Sequence, residues 1–300
     1  MKNLIRWSLA LAVIFTALGV GSQIPQAQPS GTFSVCSEIA FAPFEYEDKN
    51  KQNVGFDLDL IRIIAILRGF KVDIQNLAFD SIIPAVQSGK CDLGVSSFTI
   101  TAERAKVVDF SDPYFDANQA VLVNAQSGLN AITAFKKGNK IGAQEGTTGA
   151  DYIDALIKAG IEVQLKLYKT YPDAEKDLAN KNIQAVLEDE PVARATAKAS
   201  KGVLKVAGIV VTDEQYGMLA AKGDPKKLIA AVNAALKDIR RAGIYANLYE
   251  AYFGADVNLD RTGDCYKDLK PYLDRGTLAG AQAYAENLSL CMAGQQYKKP

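Results

Sequence analysis

Between residues 32 and 253, short apolar runs alternate with amphipathic stretches of helical spacing. "TFSVC" reads as a buried strand. "DLDLIRIIAILRG" repeats apolar residues every three or four positions, opens with acids and stops at Gly69, which predicts an amphipathic helix. "KVDIQNL" follows as a strand, "FDSIIPAVQSGK" as a helix closed at Gly89, and "CDLGVSS" as a strand. This alternation predicts an open, mostly parallel α/β sheet.

A second module repeats the order. "KIGAQEGTTGADYIDALIKAG" reads strand, turn, helix; "IEVQLKLY" is a strand, "DAEKDLANKN" a helix and "IQAVLEDE" a strand. An offset of 92 residues sets Phe79 against Tyr171, Val86 against Leu178, and Ser96–Ser97 against Glu188–Asp189. The expected fold is α/β with two lobes of like topology. The chain crosses between them near "QAVLVNA" and near "TDEQYG", which makes a two-strand hinge. We assign residues 29–122 and 213–254 to lobe 1, 123–212 to lobe 2, and 255–300 to a short helical C-terminal extension.

The chain begins with Lys2, Arg6 and an apolar run from Leu9 to Val20, too short to span a bilayer and suited to a signal-peptide core. Residues 1–28 are therefore expected to be a signal peptide, and the mature protein to be exported. No cysteine lies near the cleavage region, which argues against a lipid anchor. The 34 Lys and Arg balance 34 Asp and Glu; residues 1–28 hold two of the bases and none of the acids, which leaves a net charge near −2. That gives no reason to expect nucleic acid as a partner. With no histidine in the chain, His-based triads are excluded and a catalytic zinc site is disfavoured; no metal or cofactor is expected. The cysteines show no metal-type spacing. In an exported protein Cys265 and Cys291 are expected to bridge the extension, which is too small to build its own core. Cys36 ends one predicted strand and Cys91 begins another, so in a parallel sheet they are expected at opposite edges and unpaired.

Ligands of open α/β sheets bind beyond the carboxyl ends of the strands. "SFTITAERAKVVDFSD" follows one such end and places Arg104 in the first turn of a helix, where free amides and hydroxyls of Ser96, Ser97, Thr99 and Thr101 surround it. That set complements a carboxylate, which arginine binds bidentately. The alternative is an exposed arginine paired with Glu103 or Asp109. Thr101 serves equally well as an ordinary helix cap. In "SEIAFAPFEYED", Glu38 and Phe41 sit on the same edge, while Phe44 reads as core. Phe79 fits either core or cleft. "QEGTTG" is a strand-to-helix turn whose amides could hold an anion, and Glu188 with Asp189 ends the matching strand of lobe 2, either in the cleft or solvated.

Five segments together carry a resemblance: "FAPFEYEDKNKQNVGFDLDL", "FDSIIPAVQSGKCDLGVSSFTITAERAKVVDFSDPYF", "IGAQEGTTG", "VLEDEP" and "EQYG". They resemble the polar-amino-acid branch of periplasmic solute-binding proteins that serve ABC importers, over about residues 32–254. The resemblance implies a two-lobed clamp. It implies that Arg104, Ser97, Thr99, the backbone at Ser96, and Thr148 meet the α-carboxylate of a free amino acid. Asp189 would take the α-ammonium, Phe41 and Phe79 would wall the side chain, and Glu38 would read its polar end. Gln144 and Glu188 stand at positions that vary with specificity. The extension has no counterpart in the common pattern.

A zwitterion would satisfy Arg104 and Asp189 and leave at least one carboxylate against the ligand side chain, where an unpaired buried charge is costly. The expected ligand is therefore arginine, lysine, ornithine or histidine, with glutamine next. The expected role is a monomeric binding protein that delivers to a membrane permease. The rival is an enzyme on the same clamp, a cyclohexadienyl-type dehydratase with Glu38 or Glu188 as general acid.

Overall fold

The computed structural model describes residues 29–300; the signal-peptide expectation falls outside the described residues. Lobe 1 opens with β1 (Thr32–Ser37) and a small antiparallel set, β2 (Ala40–Phe41), β3 (Glu45–Glu47) and β4 (Asn53–Val54). It continues through α1 (Phe56–Arg68), β5 (Lys71–Asn76), α2 (Phe79–Gln87), β6 (Leu93–Gly94), α3 (Ala102–Ala105) and β7 (Val108–Phe110). The long strand β8 (Phe115–Asn124) leads into lobe 2: α4 (Ala131–Ala134), β9 (Lys140–Gln144), α5 (Thr148–Lys158), β10 (Gln164–Tyr168), α6 (Tyr171–Ala179), β11 (Ala185–Asp189) and α7 (Glu190–Ala199). β12 (Leu204–Tyr216) returns, followed by β13 (Leu219–Ala221), α8 (Leu228–Arg241) and α9 (Ile244–Phe253), and the extension adds α10 (Thr262–Leu273) and α11 (Leu278–Met292).

Each lobe is built on one five-stranded sheet, β5-β1-β6-β13-β7 in lobe 1 and β10-β9-β11-β8-β12 in lobe 2. Three strands of each pair in parallel, as the alternation predicts, and the other two join through antiparallel pairing, so that one strand, β13 in lobe 1 and β8 in lobe 2, runs against the other four. The antiparallel members are the hinge strands and the segments beside them. β8 and β12 pair from Phe115–Tyr216 in lobe 1 to Asn124–Leu204 in lobe 2, so one ladder runs through both lobes. A core of Val35, Phe44, Ile61, Ile64 and Val95 lies under lobe 1, and Phe44 is fully buried there as expected. Gly55 lets α1 start against the β2–β3 turn: its φ is 133°, and a Cβ would stand 2.1 Å from the Phe44 carbonyl oxygen.

The extension is part of the lobe 1 core. Its anchor is Asp59 of α1, fully buried, which accepts 2.7 Å bonds from the hydroxyls of Tyr252 on α9 and Tyr284 on α11 and pairs with Arg62 at 3.1 Å. α10 presses on the β3–β4 turn, where a Cβ at Gly263 would overlap the Asp48 carboxylate and Tyr46 Oη meets Thr262 Oγ1 at 2.5 Å. The Cys265–Cys291 disulfide ties α10 to α11.

The expectation that Cys36 and Cys91 stay apart is wrong: they form a disulfide, with Cα atoms 5.8 Å apart. β6 does not begin at Cys91. Gly94 stands opposite Cys36 in the ladder, and Cys91 lies before the strand, where its amide bonds Ala85 O and its sulfur turns into the core under α2. A bend of the chain replaces the strand edge on which the separation relied.

Glu188 also departs from expectation. Side chains alternate across β11, and Glu188 shares the Val186 face, which α6 and α7 cover. It is fully buried, neither carboxyl oxygen has a donor, and its neighbour is the Glu175 carboxyl of α6, itself bonded by Thr196. Desolvation first, then the Glu175 charge, holds Glu188 well above the usual carboxylate range. Two ionised carboxyls have no donor to offer each other, so this pair favours a protonated Glu188.

Two outcomes follow for the fold. Non-reducing peptide mapping should give two linked pairs, Cys36–Cys91 and Cys265–Cys291, and replacing the second pair with serine should destabilise the protein by about 3 kcal/mol in denaturant melts. Glu188→Gln should raise Tm, more at about pH 8 than at about pH 5, because a carboxyl raised in the folded state loses its stabilising proton as pH climbs. Equal shifts at both pH values would show that Glu188 holds no such proton.

Candidate functional site

The carboxyl ends of β1 and β6 in lobe 1 face those of β9 and β11 in lobe 2. Between them lies a narrow cleft of about 20 Å³, lined by Glu38, Phe41, Glu45, Phe79, Ser96, Ser97, Thr99 and Arg104 of lobe 1 and by Gln144, Thr147, Thr148, Tyr171 and Asp189 of lobe 2. A larger groove of about 890 Å³ opens behind the hinge between α7 and α9, but no comparable set of buried polar groups converges there.

Arg104 stands on the single turn α3, capped by the Thr101 hydroxyl, so the cap reading of Thr101 holds. Its guanidinium reaches across the cleft, donating to Thr99 O at 2.8 Å and to Gly146 O of lobe 2 at 2.9 Å. It lies 5.6 Å from the ring centres of both Phe79 and Phe98, which stack at 4.6 Å. Among the described residues no carboxylate forms an ion pair with Arg104, so the surface-pair alternative with Glu103 or Asp109 fails: those acids bind Lys106 and Lys222. Three of the five guanidinium N–H groups are left for a ligand.

Three acids oppose this one cation. Glu38 accepts both bonds of 2.7 and 2.8 Å from the Gln144 amide, a contact between lobes. Burial pushes Glu38 up to about 7, against the lowering pull of Gln144 and with a further push from Asp80. Glu45, fully buried, accepts from Ser96 Oγ at 2.9 Å and Ser97 Oγ at 3.5 Å; burial and the neighbouring Asp57 charge raise it well above the carboxylate range. Asp57 holds the Ser97 amide at 2.9 Å, which pins Ser97 in the left-handed region at φ 48°. Asp189 ends β11 and is gripped from the hinge: Gln119 of β8 donates to one oxygen and Tyr216 of β12 to the other. Burial raises Asp189 to about 7, Glu214 pushes it further, and these two bonds and Arg104 pull it back.

Aromatic rings close the sides. Phe41 faces Tyr171, the first residue of α6, at 5.6 Å between ring centres, and Phe79 begins α2 on the other wall. Glu38, Phe41, Phe79, Ser96, Ser97, Thr99, Arg104, Gln144, Thr148 and Asp189 thus meet in one cavity, and Glu188 is the predicted site residue that lies outside it.

Sequence reading missed several residues. Tyr171 had a signal, since the 92-residue offset pairs it with Phe79 and both open a helix at the cleft. Glu45 is an acid that follows the apolar run "FAPF". Gln119, Glu214 and Tyr216 lie in the predicted hinge crossings, but nothing in the sequence marked them as site residues, because their contacts with Asp189, Thr99 and Thr148 arise from pairing of distant chain segments.

Among the described residues, no helix is long and apolar enough to cross a membrane and no group of three metal-ligating side chains gathers. The family profile of bacterial extracellular solute-binding proteins, family 3, matches residues 33–255. A probable histidine-binding protein of Neisseria gonorrhoeae is 32% identical over 85% of this chain and 97% of its own. ABC transporter arginine-binding protein 1 of Escherichia coli strain K12 is 35% identical over 82% of this chain and 98% of its own. A solved structure of an ancestral arginine-binding protein bound to arginine superposes with a TM-score of 0.71 at 38% identity, covering 75% of this chain and 99% of that one. With sequence, two-lobed fold and cleft in agreement, the chain belongs to the bacterial extracellular solute-binding proteins of family 3.

Proposed function

We propose that this protein is the periplasmic binding component of an amino-acid ABC importer, closing its lobes on an amino acid with a cationic or hydrogen-bond-donating side chain. Arginine, lysine, ornithine and histidine fit best, and glutamine next. One observation carries the reading: a single guanidinium faces Glu38, Glu45 and Asp189 in one enclosed cleft. A zwitterion spans Arg104 and Asp189 and leaves Glu38 facing the ligand's far end, where a donor or a positive charge favours its ionised form. A second anion there would sit among carboxylates in a site with little water, so glutamate and aspartate are disfavoured. Phe41, Tyr171 and Phe79 offer flat walls for a guanidinium or an aliphatic stem. The histidine- and arginine-binding names of the relatives point the same way.

The dehydratase alternative loses one of its two candidate acids, since Glu188 is sealed beneath α6 and α7. Binding accounts for Arg104 and Asp189 without a reaction.

Calorimetric titration should rank arginine or histidine above glutamine, and glutamine far above glutamate; glutamate binding tightest would overturn the charge reading. Arg104→Ala should lose about 2–5 kcal/mol of binding while its melting curve stays near that of the parent. Arginine affinity should also climb between about pH 6 and about pH 8, with protons released on binding. The free protein holds Glu38 and Asp189 up near 7, so part of each is neutral; a cationic ligand prefers the ionised form, which grows with pH. Titrations in buffers of different ionisation enthalpy would read the released proton directly.

A further inference from the structure

Glu214 lines no wall of the cleft, yet it takes the protons of two hydroxyls that do. Its placement is built into the hinge. β12 slips register between Val210 and Glu214, Asp213 turns through φ 49°, and the amides of Thr212 and Asp213 are held at 3.0 and 3.3 Å by the Asn118 side chain of β8. Such a bulge re-aims the next side chain. Glu214 then points to the junction of the lobes. Its Oε2 accepts from Thr99 Oγ1 of lobe 1 at 2.7 Å and from Thr148 Oγ1 of lobe 2 at 2.8 Å. Its Oε1 accepts from Gln119 Nε2 at 3.2 Å, and the same amide donates to Asp189.

A hydroxyl owns one proton and two lone pairs. With both protons drawn toward Glu214, Thr99 and Thr148 present only lone pairs to the cleft. Lone pairs repel a carboxylate and receive an ammonium. We propose that Glu214 is a positioning residue that sets the hydrogen-bond polarity of the cleft, turning Thr99 and Thr148 into acceptors for the ligand's α-ammonium beside Asp189. The resemblance-based assignment of these two hydroxyls to the carboxylate is thereby reversed. The carboxylate is left to the free N–H groups of Arg104 and to the amides of Thr148 and Gly149, which open α5 and have no carbonyl a turn earlier. Glu214 also places a second negative charge behind the ammonium, linked to Asp189 through Gln119. The inference rests on the amino-acid reading above, since it concerns how one zwitterion is divided between the two lobes.

The test compares ligands with and without the α-amine: arginine against δ-guanidinovalerate, and glutamine against glutaramate, titrated calorimetrically into the parent, Glu214→Gln, Thr148→Val and Thr148→Ser. Glu214→Gln should weaken arginine or glutamine about tenfold or more, the effect of losing charge-assisted bonds, while the amine-free analogue keeps its affinity. Thr148→Val should show the same selective loss, and Thr148→Ser should restore it. Unchanged or tighter amino-acid binding in Glu214→Gln overturns the proposal, as does an equal loss for both members of a pair, which marks a merely structural role. A parent protein that binds neither arginine, histidine nor glutamine instead removes the amino-acid reading, and this inference with it.

Discussion

A charge imbalance sealed from water governs this protein. One guanidinium stands among three carboxyls where the strands of two sheets end, and neither the cation nor the acids are paired with one another. Each acid instead leans on neutral donors: Gln144 for Glu38, Ser96 and Ser97 for Glu45, Gln119 and Tyr216 for Asp189. Neutral donors satisfy geometry but leave charge uncompensated, and burial then raises the carboxyls. A site in this condition gains most from a molecule carrying its own separated charges.

The same donors couple the site to the hinge. Gln119 and Tyr216 belong to the two long strands that join the lobes, so Asp189 is held in place by the hinge itself. Arg104 and Gln144 reach the opposite lobe through Gly146 O and Glu38. The contacts that join the lobes therefore run through the same side chains that line the cleft. On the far side of lobe 1, the extension fixes α1 and the β3–β4 turn through Asp59 and Thr262, which steadies the set of short strands that presents Phe41 and Glu45.

How much of this was legible in the chain depends on the distance over which each cause acts. Helix α1 is visible because its acids, apolar period and Gly69 stop lie within fourteen residues. Arg104, with the hydroxyls before it, is visible because the turn that holds it is local, and the approach of Tyr171 to the cleft is foreshadowed by the repeat that pairs it with Phe79. The Cys36–Cys91 bond was misread because a one-strand assumption about residues 91–97 replaced a bend that α2 imposes. Glu188 was misread because strand alternation fixes only that it and Asp189 point to opposite faces, while the packing of α6 and α7 decides which face is dry.

The sequence alone thus determined the two-lobed α/β architecture, the crossings between lobes, the helical extension with its disulfide, and most of the side chains that meet in the cleft, since periodicity, capping and turn chemistry are written in neighbouring residues. Tertiary structure decided the donors on which those side chains depend. Glu45, Gln119, Glu214 and Tyr216 became part of the site only when strands far apart in the chain paired and the two lobes met. Whether a hydroxyl faces a ligand with its proton or with its lone pairs is settled by the group behind it, and no local pattern records what that group will be.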